Sequence, residues 1–286
     1  MSTSNEPPQD EFGYIEPDMA WLRPLFDKLI LELDHYTVSL TLKDRLIGSG
    51  TLVIVGGRFG ILTAHHVAEI LCKDQTARIN VIIAGHEHLF SIKADFIEHH
   101  VVGRPHGDDE AIGPDLSFLQ LLDSGNVGTL KSKKSFYHLE GKSFGKFEAF
   151  PFKETPWFVA GAPAELVSGL NVGTPAATLE VKHFFGEAVF DSMTEREGFD
   201  FLRLEIFAGR DDYPKHFGGV SGGGLWLIQL SKEIDIPNAP VSYEAPFLAG
   251  VAFHQSELRE DKRIISGHGP ASIYHVLPKL LSIAEG

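Results

Sequence analysis

From Thr37 to Phe253 the chain is a succession of short apolar runs broken by glycine, aspartate and histidine turns. No segment between two runs is long and periodic enough to be a crossover helix. That pattern fits two successive all-β halves better than a βαβ fold, whose strands alternate with helices. The first run, Thr37-Val38-Ser39-Leu40-Thr41-Leu42, alternates polar and apolar residues, which predicts a half-buried strand. Ile47 to Val55 and Phe59 to Ala64 flank Gly56-Gly57-Arg58 as a hairpin. Arg78 to Ala84, Leu89 to Lys93 and Leu116 to Leu122 follow as strands. A second series covers Trp157 to Ala160, Ala177 to Val181, Glu187 to Phe190, Phe201 to Ile206, Leu225 to Leu230 and Phe247 to Phe253.

Helices frame the strands. Pro24 suits a first helical position, and Leu25, Phe26, Leu29, Ile30 and Leu33 form one apolar face. A closing helix is expected between Pro270 and Ala284, broken at Pro278. Four regions result: 1–34, a disordered acidic tail plus helix; 35–123, the first set of strands; 124–155, a connector; and 156–286, the second set with its closing helix. The lysines of 131–153 read as a solvated face of the connector.

The chain's 286 residues can bury a core without disulfides or metals, and Cys72 is its one cysteine. Its net charge of −14 argues against nucleic acid or an anionic membrane as partner. No apolar run approaches the roughly 18 residues of a membrane span. The acidic N-terminus is the opposite of a signal peptide, so the expected location is cytoplasmic.

Three segments carry chemistry. Phe217-Gly218-Gly219-Val220-Ser221-Gly222-Gly223-Gly224 sets a serine among glycines, where a reagent can approach the hydroxyl and backbone N–H groups can turn to one point. A Gly-rich turn with an incidental serine is the plain alternative. The segment also satisfies the G-x-S-x-G elbow of α/β-hydrolases, with Asp235 and His254 or His268 downstream, but a strand and not a helix is expected after it. Gly60-Ile61-Leu62-Thr63-Ala64-His65-His66 delivers a histidine at a strand end, and Gly113-Pro114-Asp115 opens an apolar strand with an aspartate. Taken singly, the histidine pair and the turn aspartate have ordinary structural readings. Glu98-His99-His100 and His86-Glu87-His88 hold metal-ligand types, and surface histidine is the simpler account of both.

Together the three segments resemble, in order and local sequence, the trypsin/chymotrypsin-like serine peptidases, in their disulfide-free, intracellular, bacterial type. Thr63-Ala64-His65-His66 is similar to that family's T-A-A-H, Asp115-Leu116-Ser117-Phe118-Leu119 to its D-[LI]-A-[LV]-L, and Gly219-Val220-Ser221-Gly222-Gly223 to its G-x-S-G-G. The resemblance implies two six-stranded antiparallel Greek-key barrels with an extra N-terminal and a C-terminal helix. It makes His66 the base, Asp115 its orienter and Ser221 the nucleophile, with the N–H groups of Gly219 and Ser221 as oxyanion hole. It implies no cofactor or metal, and a protein or peptide substrate. A decayed site on a peptidase-like scaffold is the alternative.

Departures qualify the match. Secreted relatives carry an aspartate before the nucleophile that pairs with a freshly cut N-terminus; here that residue is Val220. The 34 residues ahead of the first strand are extra to the core fold and are expected to pack on the barrel. No second functional domain is recognisable, so a regulatory protein partner would come from elsewhere. The family's pocket position six before the nucleophile is Lys215, which with His254 would favour an acidic side chain; the plainer reading leaves Lys215 solvated in a loop of altered length.

Overall fold

The computed structural model describes residues 23–42, 45–73, 78–82, 89–105, 113–140, 152–153, 155–170, 178–208, 213–231, 242–243 and 245–283. The expected disordered tail, His86-Glu87-His88, Asp235 and most of 141–154 fall outside these residues.

The alternating run forms β1 (Thr37–Leu42), but both of its faces are buried rather than one. Val38 and Leu40 enter the core, while the hydroxyl face is covered as well. Thr37 Oγ1 donates to the Leu33 carbonyl at 2.9 Å, and Ser39 Oγ meets His183 Nε2 at 2.9 Å. Burying these two hydroxyls is tolerable because each has a partner, whereas Thr41 Oγ1 on the same face is buried with none among the described residues. What covers them is the helix α1 (Arg23–Asp34) and a histidine of the second half.

The first half continues with β2 (Arg45–Val55), β3 (Arg58–Thr63), β4 (Arg78–Ile82), β5 (Leu89–Lys93), β6 (Ile97–Gly103), β7 (Leu116–Leu121) and β8 (Tyr137–His138). The β2–β3 hairpin closes over the two-residue loop Gly56-Gly57, with φ of 57° and 73°, as a tight hairpin turn requires. The sheet runs β5-β4-β1-β2-β3-β7-β6, with β8 parallel to β2. Its edge strands β5 and β6 are consecutive in the chain, joined by the single 3-10 turn Ala94–Phe96. Counting them as one broken strand gives six strands wound 1-2-3-6-5-4. Sequence reading missed β6, because its histidines drew attention as ligands rather than as strand residues.

The second half closes fully. β9 (Trp157–Gly161), β12 (Phe184–Arg196), β13 (Phe199–Phe207), β14 (Gly224–Leu227), β17 (Phe247–Gln255) and β18 (Lys262–His268) form a barrel in the order β12-β13-β18-β17-β14-β9. Renumbered from β9, that order is again 1-2-3-6-5-4. The short pairs β10 (Val167–Leu170) with β11 (Thr178–Val181), and β15 (Leu230–Ser231) with β16 (Ser242–Tyr243), stand outside it. Two halves wound alike, all antiparallel apart from β8, make the chymotrypsin-like two-barrel fold, with its first barrel open at one strand.

The helices do more than frame the strands. Leu29 and Leu33 of α1 enter one apolar cluster with Val53, Phe118, Phe158 and Trp226, so both halves share a core. Near its C-terminus the chain makes a π-helical turn over Ser272–Val276 that runs directly into a helix over Leu277–Ile283. The expected break at Pro278 does not occur. The wide turn, closed by Leu277 N–H on the Ser272 carbonyl, shifts the ladder just before the residue that cannot donate. The connector begins as a helix, α3 (Ser124–Lys131), whose end Asp123 caps by accepting from Asn126 N at 2.7 Å.

Candidate active site

Strand β3 ends at Thr63, and the helix α2 (His65–Cys72) starts two residues later with Ala64 as cap. His66 therefore sits in the first turn, where backbone N–H groups lack helical acceptors. The carboxylate of Asp115 fills that role. Asp115 Oδ1 accepts from His66 N at 2.9 Å, while Oδ2 lies 2.5 Å from His66 Nδ1. One buried carboxylate thus holds both the backbone and the ring of the same residue. With Nδ1 donating to Asp115, Nε2 is the nitrogen left to take a proton.

Asp115 is fully buried and is itself positioned from the second half. Its N–H donates to His268 Nε2 at 2.8 Å. His268 Nδ1 lies 3.3 Å from Ser272 Oγ, which lies 2.6 Å from Asp200 Oδ1. Phe199, Phe201 and Phe253 surround the His268 ring at 5.3–5.5 Å. Burial in this setting pushes its pKa down to about 3, so it stays a neutral acceptor. His268 is therefore no partner of an α/β-hydrolase elbow, and the residues after Ser221 form the strand β14, not a helix.

Ser221 follows the last of three consecutive peptides whose carbonyls are tied down. The Gly218 carbonyl accepts from Ala164 N at 2.6 Å, and the Val220 carbonyl from Gly223 N at 2.7 Å. In a trans peptide the N–H points opposite its carbonyl, so the Gly219 and Ser221 N–H groups are both turned away from those contacts. Neither donates to a backbone or side-chain acceptor among the described residues. The glycines are needed for closeness: a Cβ on Gly222, at φ +90°, would lie 2.0 Å from the Ser49 carbonyl oxygen. Ser221 Oγ donates to the Phe253 carbonyl at 3.1 Å.

A cavity of about 260 Å³ opens here, lined by His66 and Ser221 together with Phe217, Phe253, His254 and Gln255. The structure thus brings Ser221 and His66 to one cavity, with the buried Asp115 behind His66. His254 shares the cavity. Lys215 does not line it: the residue is exposed, its N–H held by Glu165 Oε2 at 2.9 Å and its carbonyl by Arg263 Nε at 2.8 Å. The acidic preference that rested on Lys215 loses its basis.

The histidine next in sequence, His65, turns the other way. It is buried, with Nδ1 3.0 Å from Ser117 Oγ and Nε2 accepting from Arg104 Nε, and it stacks on His99. His99 bonds Ser117 and His100 bonds Gln120, which accounts for both without a metal. A second Ser–His–Asp arrangement exists elsewhere: Ser39 Oγ meets His183 Nε2, and His183 Nδ1 lies 2.6 Å from Asp34 Oδ1. Sequence reading missed it, along with Ser49 and the role of His268, because each depends on contacts between distant segments.

No protein-family model matches the chain, and no curated protein sequence matches it. Among solved structures the chain is similar to neuropsin, a serine protease expressed in the limbic system of mouse brain, at 17% identity and a TM-score of 0.49 over 87% of this chain and 95% of that one. Another similar structure comes from work on the coupled folding and binding of the intrinsically disordered Sesbania mosaic virus VPg protein, at 12% identity and a TM-score of 0.44 over 85% and 90% of the two chains.

Proposed function

We propose that this chain is a serine endopeptidase, on the observation that Ser221 and a His66 oriented by buried Asp115 face one cavity. Ser221 Oγ attacks the carbonyl carbon of a peptide bond while its proton passes to His66 Nε2. A hydroxyl has one proton, so attack begins by turning it from the Phe253 carbonyl to the imidazole. The carbonyl oxygen becomes an oxyanion, met by the Gly219 and Ser221 N–H groups. Collapse breaks the C–N bond, and His66 returns the proton to the leaving amine. Water then repeats the sequence on the acyl-enzyme and frees Ser221. Asp115 keeps Nδ1 protonated throughout and stabilises the imidazolium.

The side chain beside the scissile bond is neutral and largely apolar in this reading. Among the described residues the cavity wall is Phe217, Val220, Ala252 and Ile265 with His254 and Gln255, and none of these is a carboxylate that would attract lysine or arginine. Val220 before the nucleophile and the single Cys72 fit the disulfide-free, intracellular type of the family.

A fluorophosphonate tests the mechanism directly. Its phosphorus accepts Ser221 Oγ, the P–F bond breaks, and fluoride leaves. The expected result is one label per chain, located on Ser221 and lost in Ser221→Ala. Absence of labelling in the folded wild-type chain, or labelling that persists in Ser221→Ala, would overturn the assignment.

A further inference from the structure

The peptide between the two oxyanion donors is held by a residue that the triad does not include. Gly219 contributes its N–H to one side of the hole, and its own carbonyl begins the peptide leading to Val220. That carbonyl accepts from Ser49 Oγ at 2.7 Å. The same hydroxyl oxygen accepts from Ala162 N at 2.8 Å, so its proton is committed to Gly219 and its position is set by β9's end. Ser49 is fully buried, and its backbone is tied as well. Its N–H donates to the Ser221 carbonyl at 2.8 Å, and its carbonyl accepts from Thr63 Oγ1 at 2.7 Å. Thr63 ends the strand that delivers His66.

Glycine has the widest backbone freedom of any residue, and Gly219 stands in the middle of the hole. The Gly218 and Val220 carbonyls hold the peptides on either side, and the peptide between them is held by the Ser49 hydroxyl together with the Val220 N–H on the Phe217 carbonyl. A charged tether is absent from the loop itself: Val220 is buried in an apolar cluster with Trp157, Val159 and Leu225. We infer that Ser49 is a positioning residue whose hydroxyl holds the oxyanion loop in its donor arrangement, tying it in one step to the strands that carry His66 and to β9. This rests on the serine-peptidase reading.

The test compares wild type, Ser49→Ala and Ser49→Thr in the rate of fluorophosphonate labelling of Ser221 across pH, beside their thermal unfolding. A displaced donor costs rate without touching the base, since misplacement by about 1 Å is worth up to roughly a hundredfold. Ser49→Ala is expected to label about tenfold to a hundredfold more slowly, with the pH midpoint of labelling unchanged and unfolding within a few degrees of wild type. Ser49→Thr, which keeps the hydroxyl, is expected to label faster than Ser49→Ala. Labelling of Ser49→Ala within twofold of wild type would overturn the inference. So would a moved pH midpoint or a lost fold in Ser49→Ala, which would make Ser49 a general structural residue. A wild-type chain that never labels would instead remove the peptidase reading itself.

Discussion

Ser39, His183 and Asp34 are bonded in series, whereas Ser221 Oγ donates to the Phe253 carbonyl beside a His66 held by Asp115, and the two sets also differ in access. Ser39 is fully buried, and its hydroxyl faces His183 rather than a cavity. Ser221 and His66 line a space that a substrate can enter. Ser39→Ala should therefore leave fluorophosphonate labelling at the wild-type rate. Asp115→Asn should lower peptidase turnover by about 10⁴, because an amide facing Nδ1 enforces the wrong tautomer. Histidine environments also set an acid limit on stability. Burial, aided by the charges of His65, His100 and Arg104 and opposed by Glu69, pushes the pKa of His99 down to about 4, and His268 falls to about 3. Unfolded histidines take protons near pH 6.5, so the unfolded chain binds protons that the folded chain refuses as pH falls from there toward 4. Stability present above pH 6.5 is then lost at up to about 1.4 kcal/mol per pH unit for each of the two groups. Urea unfolding at pH 7, 6 and 5 measures this slope, to which the buried His65 and His183, also lowered by desolvation, add, and His99→Leu should reduce it.

At the scale of elements, legibility followed the range of the contacts. The alternation of Thr37–Leu42, the Gly56-Gly57 hairpin and the apolar face of Leu29 and Leu33 are local patterns, and each became the element expected. The strand-end histidine and the glycine-cradled serine were legible in the same way, because the residue types on either side of each are local. The burial of the hydroxyl face of β1 was hidden, because its cover comes from α1 and from His183, 144 residues away. The Ser49 contact to Gly219 spans 170 residues and leaves only the weak local trace of a serine between two glycines. That distant packing also explains why the glycine loop around Ser221 tolerates so little. A methyl group on Gly222 meets the Ser49 carbonyl and Thr63 Oγ1 at 2.0 and 2.1 Å, in a backbone conformation that disfavours side chains. Gly222→Ala should cost roughly 3–5 kcal/mol, combining overpacking with strain. Chemical denaturation of a chain that also fails to label would register both effects.

Over the whole molecule, the two halves, the leading helix and the connector meet at Asp34. Its Oδ2 pairs with Lys134 Nζ at 2.8 Å, the same ammonium donates to the Asp34 carbonyl, and Oδ1 faces His183 of the second half. The Lys134 and His183 side chains are each only 2% exposed, so both are removed from water at this one carboxylate. Burial raises and its two partners lower the Asp34 pKa, and the lowering prevails, keeping it ionised. Taking away one member of such a pair leaves a buried charge without its counter-ion, which costs more than the pair itself contributes. Asp34→Ala should lower unfolding free energy by about 3–5 kcal/mol. The double variant Asp34→Ala/Lys134→Met, which removes the stranded ammonium, should recover a good part of that loss. Because α1, both halves and the C-terminal helix share one apolar cluster, each variant should still unfold in a single transition. Urea curves followed by tryptophan fluorescence and by far-ultraviolet circular dichroism decide the point. Two separated transitions would mean that the halves hold together through Asp34, whereas coincident curves with a lowered midpoint place the joint in the shared core and make Asp34 a fastener of the leading helix.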